Sequence, residues 1–174
     1  MNSLNSYTAE DVKSKTDKSY AINSGNWMSH LPDDMYLSEV NMPGTHDTGA
    51  TYMTDVAEQL SIVCCQRLYP DEQLNSGVRA WDIRINRKES INENSNPTII
   101  HGENFYTCHN RDGSDMTLRN IMDTAKDFLK EHPYETVVMT LKGDSGGSDE
   151  IIGDIVLKQY LNNKNYPIYK PQKG

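Results

Sequence analysis

Val78-Arg79-Ala80-Trp81-Asp82-Ile83-Arg84-Ile85 decides the fold class. The run alternates with a period of two, the repeat of a β-strand, whose successive side chains point to opposite faces. Trp81, Ile83 and Ile85 share one face, and Ala80, Asp82 and Arg84 share the other. The apolar face requires a covering layer. An acid and an arginine projecting together from the opposite face are what a phosphate site needs.

Working outward from this strand, Gln73-Leu74-Asn75-Ser76-Gly77 reads as a short helical ending closed by glycine. Residues 54–66 place Val56, Leu60 and Val63 on one helical stripe. Before them, Tyr36 to Met42 reads as a first strand, stopped by Pro43-Gly44. Downstream, 86–96 is polar and turn-rich, and Thr98 to Gly102 is a short strand ending on His101. Leu118, Ile121, Met122, Ala125, Phe128 and Leu129 fall at helical spacing, and Pro133 ends that helix. Thr136 to Lys142 reads as an apolar strand, followed by a glycine-rich loop and a last helix over about 149–161. Strands alternating with helices imply an α/β protein with a largely parallel sheet. Residues 1–25, rich in Ser, Asn, Lys and Asp without periodicity, read as a flexible arm, leaving one domain over 26–174. The polar tail from Asn162 to Gly174 carries no strand pattern.

A length of 174 residues suffices for one domain with a genuine core. A net charge of −8 excludes the basic stripe that a nucleic-acid partner demands. No apolar run approaches the roughly 20 residues of a membrane span, and Met1 to Asp17 lacks the apolar core of a secretory leader. Cys64, Cys65 and Cys108 match no zinc-ligand spacing. The adjacent pair is badly placed for an ordinary disulfide, so all three read as idle thiols. His30, His109 and His132 receive no role.

The chemistry lies in Pro43-Gly44-Thr45-His46-Asp47-Thr48, in Asp82-Ile83-Arg84 and in His101-Gly102. Each group is expected at or beside a strand's C-terminal end, where α/β folds place their sites. One histidine can take a proton from an attacking hydroxyl and the other can give one to a leaving oxygen. Arg84 can stabilise charge on phosphoryl oxygens. No serine or cysteine stands out as a nucleophile, which suits a phosphodiester that carries its own. Taken singly, Asp82 and Arg84 read equally as a structural ion pair and Lys142 as a solvated strand end. The combination carries the case.

At this point the chain resembles the catalytic X region of bacterial phosphatidylinositol-specific phospholipases C, over Trp27 to Lys142. The resemblance rests on Met42 to Thr48, on the Gln-Leu-x-x-Gly-Val-Arg-x-x-Asp-Ile-Arg run from Gln73 to Arg84, and on Ile100-His101-Gly102. Phe128 to Lys142 shares it. It implies a distorted (β/α)8 barrel of the TIM type, with about half the strands in this chain. Residues 26–174 would then be the N-terminal part of the barrel domain, and a complementing C-terminal half would supply the rest. His46 is the implied general base and His101 the general acid, oriented by Asp47. Arg84 would bind the phosphoryl oxygens, with Asp82 holding Arg84 or the histidines, and Lys142 would add charge to the head-group pocket. The implied substrate is phosphatidylinositol or its glycosylated form at a membrane surface, and the implied compartment is extracellular. Calcium-dependent relatives carry acids where Arg84 and Lys142 stand, so no metal and no cofactor are expected. Ile62 and Val63 are read as core, ahead of a role in touching the bilayer. Two alternatives stay open: a metal-dependent glycerophosphodiester phosphodiesterase, and a non-catalytic inositide-binding fragment.

Overall fold

The computed structural model describes residues 23–51, 64–87, 91–102, 106–144 and 150–170. After a 3-10 segment at Ser24–His30 and a second at Leu37–Glu39, the elements are β1 (Gly44–Thr45), α1 (Pro70–Asn75), β2 (Ala80–Ile85), β3 (Ile100–His101), β4 (Tyr106–Thr107), α2 (Leu118–Glu131), β5 (Val138–Gly143) and α3 (Glu150–Val156). The last helix runs on as a π turn, Leu157–Leu161.

β2 is central to a three-stranded sheet ordered β1-β2-β5, with both pairings parallel. Its burial alternates as the sequence implied: Trp81, Ile83 and Ile85 are buried, and Ala80, Asp82 and Arg84 are partly open. The apolar face meets one core cluster that includes Leu118, Ile121, Ala125 and Phe128 of α2 and Ile152 and Ile155 of α3. The register sets Asp82 beside Thr140 and Arg84 beside Lys142. One side of the sheet thus holds the core and the other the polar groups.

Two expected elements need correction. The strand placed at 36–42 is absent: Leu37–Glu39 is a 3-10 turn, and pairing with β2 is confined to Gly44–Thr45. Glu39 reaches back to accept the Tyr36 amide at 3.0 Å, which closes the turn locally. Pro43 then contributes only its carbonyl, which accepts from the amides of Arg79 and Ala80. The three-stranded sheet is wholly parallel, as expected, but β3 lies outside it in a separate two-stranded sheet. β3 pairs antiparallel with β4, a strand that the sequence reading lacked. His101 therefore comes from a hairpin rather than from the parallel sheet.

The short helical ending before Gly77 is present. α1 opens with Pro70 in its first turn, and Glu72 accepts the Tyr69 amide at 2.8 Å. It closes before Gly77, whose φ of +100° favours glycine. Ser24 and Gly25, placed in the arm by sequence, are packed: Ser24 Oγ donates to the Asn75 carbonyl and Gly25 is buried. The helix expected at 54–66 lies outside the described residues as far as 63, and 64–66 are irregular. Ile62 and Val63 also lie outside them.

α2 begins at a reciprocal cap. Thr117 Oγ1 accepts the Asn120 amide, and Asn120 Oδ1 accepts the Thr117 amide at 2.9 Å. Thr117→Ala removes one of these bonds and should destabilise the protein by about 1 kcal/mol. A urea midpoint matching that of the parent would contradict the cap.

Candidate active site

The loop after β1 places two functional side chains in succession. Asp47 has φ +48°, a left-handed conformation that Asp tolerates better than most residues. The loop is pinned to β2 from both directions. The Thr48 amide donates to the Asp82 carbonyl at 2.9 Å, and Thr48 Oγ1 accepts the Asp82 amide at 3.0 Å. Buried Gln73 fixes the loop from α1. Its Nε2 donates to the carbonyls of Thr48 and Leu68, and its Oε1 accepts from Thr45 Oγ1.

Asp47 is itself buried and lies between the histidines. Its Oδ2 forms a short hydrogen bond with His101 Nδ1 and is 3.7 Å from His46 Nε2. His46 is exposed, and its Nδ1 is 3.0 Å from Asp82 Oδ2. An ionised carboxylate only accepts, so each Nδ1 carries the proton. In the neutral ring, the lone pair is then on Nε2. Gln66 Nε2 donates to the His46 carbonyl at 2.5 Å, fixing the backbone of the same loop.

Arg84 lies between two acids. Its Nε and Nη2 donate to the two oxygens of Asp82 at 2.6 and 2.7 Å, and Nη1 donates to Asp144 Oδ1 at 2.9 Å. Lys142 Nζ is 3.3 Å from the same Asp144 oxygen. The structure therefore brings His46, Asp47, Asp82, Arg84, His101 and Lys142 into one connected network. It adds Asp144, Gln73 and Cys65, to which sequence reasoning gave no role. Asp144 lies two residues past Lys142, and only the β2–β5 register brings it beside Arg84. Gln73 stood inside a quoted motif. Cys65 Sγ lies 3.7 Å from His101 Nδ1, and no spacing rule foretells that contact.

The electrostatics follow from this geometry. Partial burial pushes the Asp82 carboxyl up, but the hydrogen bonds from Arg84, the Asp47 amide and His46 outweigh it and hold the group below the usual carboxylate range. Asp144 behaves alike: burial raises it, and Arg84 and Lys142 together hold it low. The Asp82 hydrogen bonds keep Arg84 charged more firmly than usual. Burial first, then the Asp47 charge, pushes the Cys65 thiol up, which makes it a poor nucleophile.

A carboxyl depressed in the folded state adds stability at pH values above its unfolded pKa of about 4, and that stability is lost as pH falls through the folded value. Asp82→Asn should therefore lower stability at pH 7 and flatten the acid limb of the stability curve. A variant whose urea midpoint fell with acid as steeply as the parent's would contradict this pairing.

Two histidines, a carboxylate between them and an arginine held by two acids form one connected set of ionisable groups. A sequence model of the family described as phosphatidylinositol-specific phospholipase C, X domain, matches residues 41–169. The chain belongs to this family. It is 33% identical over 144 residues to the 1-phosphatidylinositol phosphodiesterase of Staphylococcus aureus strain Newman, covering 81% of this chain and 42% of that protein. The Listeria monocytogenes protein of the same name is 32% identical over 145 residues, covering 76% of this chain and 40% of that one. Among solved structures, a pentafluoro-phenylalanine form of the S. aureus phosphatidylinositol-specific phospholipase C superposes with a TM-score of 0.66 at 31% identity. That match covers 83% of this chain and 44% of the other. The chain thus spans about two fifths of the length of these relatives. Among the described residues, no helix is long and apolar enough to cross a membrane.

Proposed function

We propose that this site cleaves phosphatidylinositol, or its glycosylated form, to diacylglycerol and inositol 1,2-cyclic phosphate at a membrane surface outside the cell. The carrying observation is the shared Asp47 carboxylate, which lies between His46 Nε2 and His101 Nδ1. In this reading, His46 Nε2 takes the proton of the inositol 2-hydroxyl, and the freed oxygen attacks phosphorus in line. The bond from phosphorus to the diacylglycerol oxygen breaks as protonated His101 gives that oxygen its Nε2 proton. Asp82 holds the His46 ring and Asp47 the His101 ring. Water opening the cyclic ester would return both histidines to their starting states.

Arg84 spends three N–H groups on Asp82 and Asp144. One N–H on each terminal nitrogen is left over, and in this reading these two take the phosphoryl oxygens. That charge does the work that a calcium ion bound by 6–8 oxygens would otherwise do, so the reaction proceeds without a metal or cofactor. Lys142 adds positive charge near the head group. We further propose that these elements are the N-terminal part of a distorted (β/α)8 barrel, and that a complementing C-terminal half walls the rest of the pocket. The open edge of β5 supports this, since among the described residues β5 pairs only with β2, and so does the uncovered site face, where Val138 is 40% exposed.

The substrate is tested with mixed micelles of phosphatidylinositol or phosphatidylcholine and with soluble glycerophosphoinositol. The chain is assayed alone and joined to the corresponding C-terminal half of a bacterial relative. Diacylglycerol release from phosphatidylinositol alone, by either form, is the expected result. Cleavage of glycerophosphoinositol in preference would favour the glycerophosphodiesterase alternative. Binding of inositol phosphate by both forms without cleavage would leave an inositide-binding module.

A further inference from the structure

The loop after β1 and the segment before α1 bring three ligand atoms of different chemistry together. An imidazole nitrogen of His46, a carboxylate oxygen of Asp47 and Sγ of Cys65 all lie within 4.8 Å of one another. Tetrahedral zinc, with bonds of roughly 2.0–2.3 Å to N, O and S, sets neighbouring ligand atoms about 3.3–3.8 Å apart. His46 Nε2 and Asp47 Oδ2 are already 3.7 Å apart, and no pair in the trio has to close by more than about 1 Å. His101, hydrogen-bonded through Nδ1 to the same carboxylate, stands where an outer-shell partner of a ligating acid belongs.

Charge allows a cation here, although Arg84 and Lys142 are near. Asp82 is taken up by Arg84 through both oxygens, and Asp144 is shared by Arg84 and Lys142. Asp47 keeps its close contacts with the imidazoles, and the nearest guanidinium atom is 3.9 Å away. Three carboxylates (Asp47, Asp82, Asp144) against two cations (Arg84, Lys142) leave the site one formal negative charge when His101 is neutral, the state in which zinc would enter. A set of one N, one O and one S donor suits zinc and not calcium or magnesium, which want oxygen. The ligands come from two segments, His46-Asp47 and Cys65, so no sequence spacing records the site.

We propose that His46, Asp47 and Cys65 form a zinc site laid over the proton-transfer groups, and that zinc occupying it reversibly inhibits the enzyme. The ion bonds the Nε2 lone pair of His46, the same lone pair that would accept the substrate proton, and the thiol proton of Cys65 leaves to solvent. Cys65 takes no part in the proposed proton transfers. Its role is to add the third ligand that makes zinc bind tightly. Binding is independent of the phospholipase reading, whereas inhibition rests on it. Both agree with a reaction that needs no metal.

Cobalt(II), the spectroscopic stand-in for zinc, is titrated into the reduced 174-residue chain while the near-ultraviolet thiolate-to-cobalt charge-transfer band is recorded. The expected result is a band that saturates at one cobalt per chain and is erased by one equivalent of zinc. The band should persist in Cys64→Ser and vanish in Cys65→Ser, with zinc affinity of the latter at least about tenfold weaker. Circular dichroism of each variant, matched to the parent, separates lost ligation from lost folding. No band in the parent, or a band that survives Cys65→Ser, overturns the site. In active preparations, with each variant's rate taken relative to its own metal-free rate, Cys65→Ser should need at least about tenfold more zinc for half inhibition; equal sensitivity overturns the inhibitory role. A chain that binds cobalt through Cys65 but cleaves no lipid supports the site and counts against the phospholipase reading instead.

Discussion

His46→Asn should lower turnover of phosphatidylinositol by about 10²–10⁴-fold, and His101→Asn by a similar factor. The loss falls on kcat, because neither ring is asked to hold the ground-state head group. Among the described residues, neither Cys65 nor Arg84 is suited to replace either proton function. Cys65 is a poor nucleophile with its thiol pushed up by burial and by Asp47, and Arg84 keeps its charge under its Asp82 bonds. The two variants differ in their pH profiles. A base must be unprotonated and an acid protonated, so His46→Asn should remove the acid limb of kcat/KM and His101→Asn the alkaline limb. The double variant should be little slower than either single one, since the two rings act as a unit. Retention of more than about a tenth of parental turnover by either single variant would contradict the proton-transfer assignment.

Glu135→Leu should destabilise the protein by about 3–5 kcal/mol, the largest stability effect expected of an exchange outside the site. The Arg79 and Glu135 side chains are 0% and 1% exposed, and Arg79 Nη2 is 2.7 Å from Glu135 Oε2. Arg79 also donates to the carbonyls of Leu74, Val78 and Gly25, and its guanidinium carbon lies 4.7 Å from the Phe128 ring centroid. Removing Glu135 leaves this charge buried without its counter-ion. The damage reaches the sheet, because the Arg79 amide donates to Pro43 and its carbonyl accepts from Val138, which ties β1 and β5 to the start of β2. Replacing both partners together, Arg79→Met with Glu135→Leu, should cost less than Glu135→Leu alone. Urea unfolding of the three variants measures this, and a single-variant loss below about 1 kcal/mol would contradict the buried pair.

β2 and α2 were legible in the sequence because each buries one face completely. Ile83 and Ile85 alternate with Asp82 and Arg84, and Leu118, Ile121, Ala125 and Phe128 recur at helical spacing. The polar face of β2 then located the site. The first strand was misplaced because Tyr36 to Met42 has strand composition, whereas strandedness depends on a partner, and β2 offers its ladder only from Ala80 onward. β3 was read within Thr98 to Gly102, but its partner β4 and their antiparallel pairing were missed for a different reason. Two-residue strands are too short for a period-two pattern, and their pairing is a tertiary fact.

Among the site residues, those on motif strands were found, while those acting through space were not. Arg79 and Gln73 stood in a quoted motif, yet nothing local reveals that one is a buried cation and the other a loop clamp. Asp144 becomes visible only once the β2–β5 register is known, and Cys65 only once the β1 loop has folded against the segment before α1.

The central claim is metal-free transfer of a proton pair around a substrate-borne nucleophile, and phosphorus NMR of phosphatidylinositol micelles tests it most directly. The chain, alone and joined to a C-terminal half, is followed with and without EDTA. The five-membered cyclic phosphate should appear first, at a rate that EDTA does not reduce, with any open monoester following later. A monoester appearing without the cyclic signal, or a reaction that EDTA abolishes, would contradict the claim.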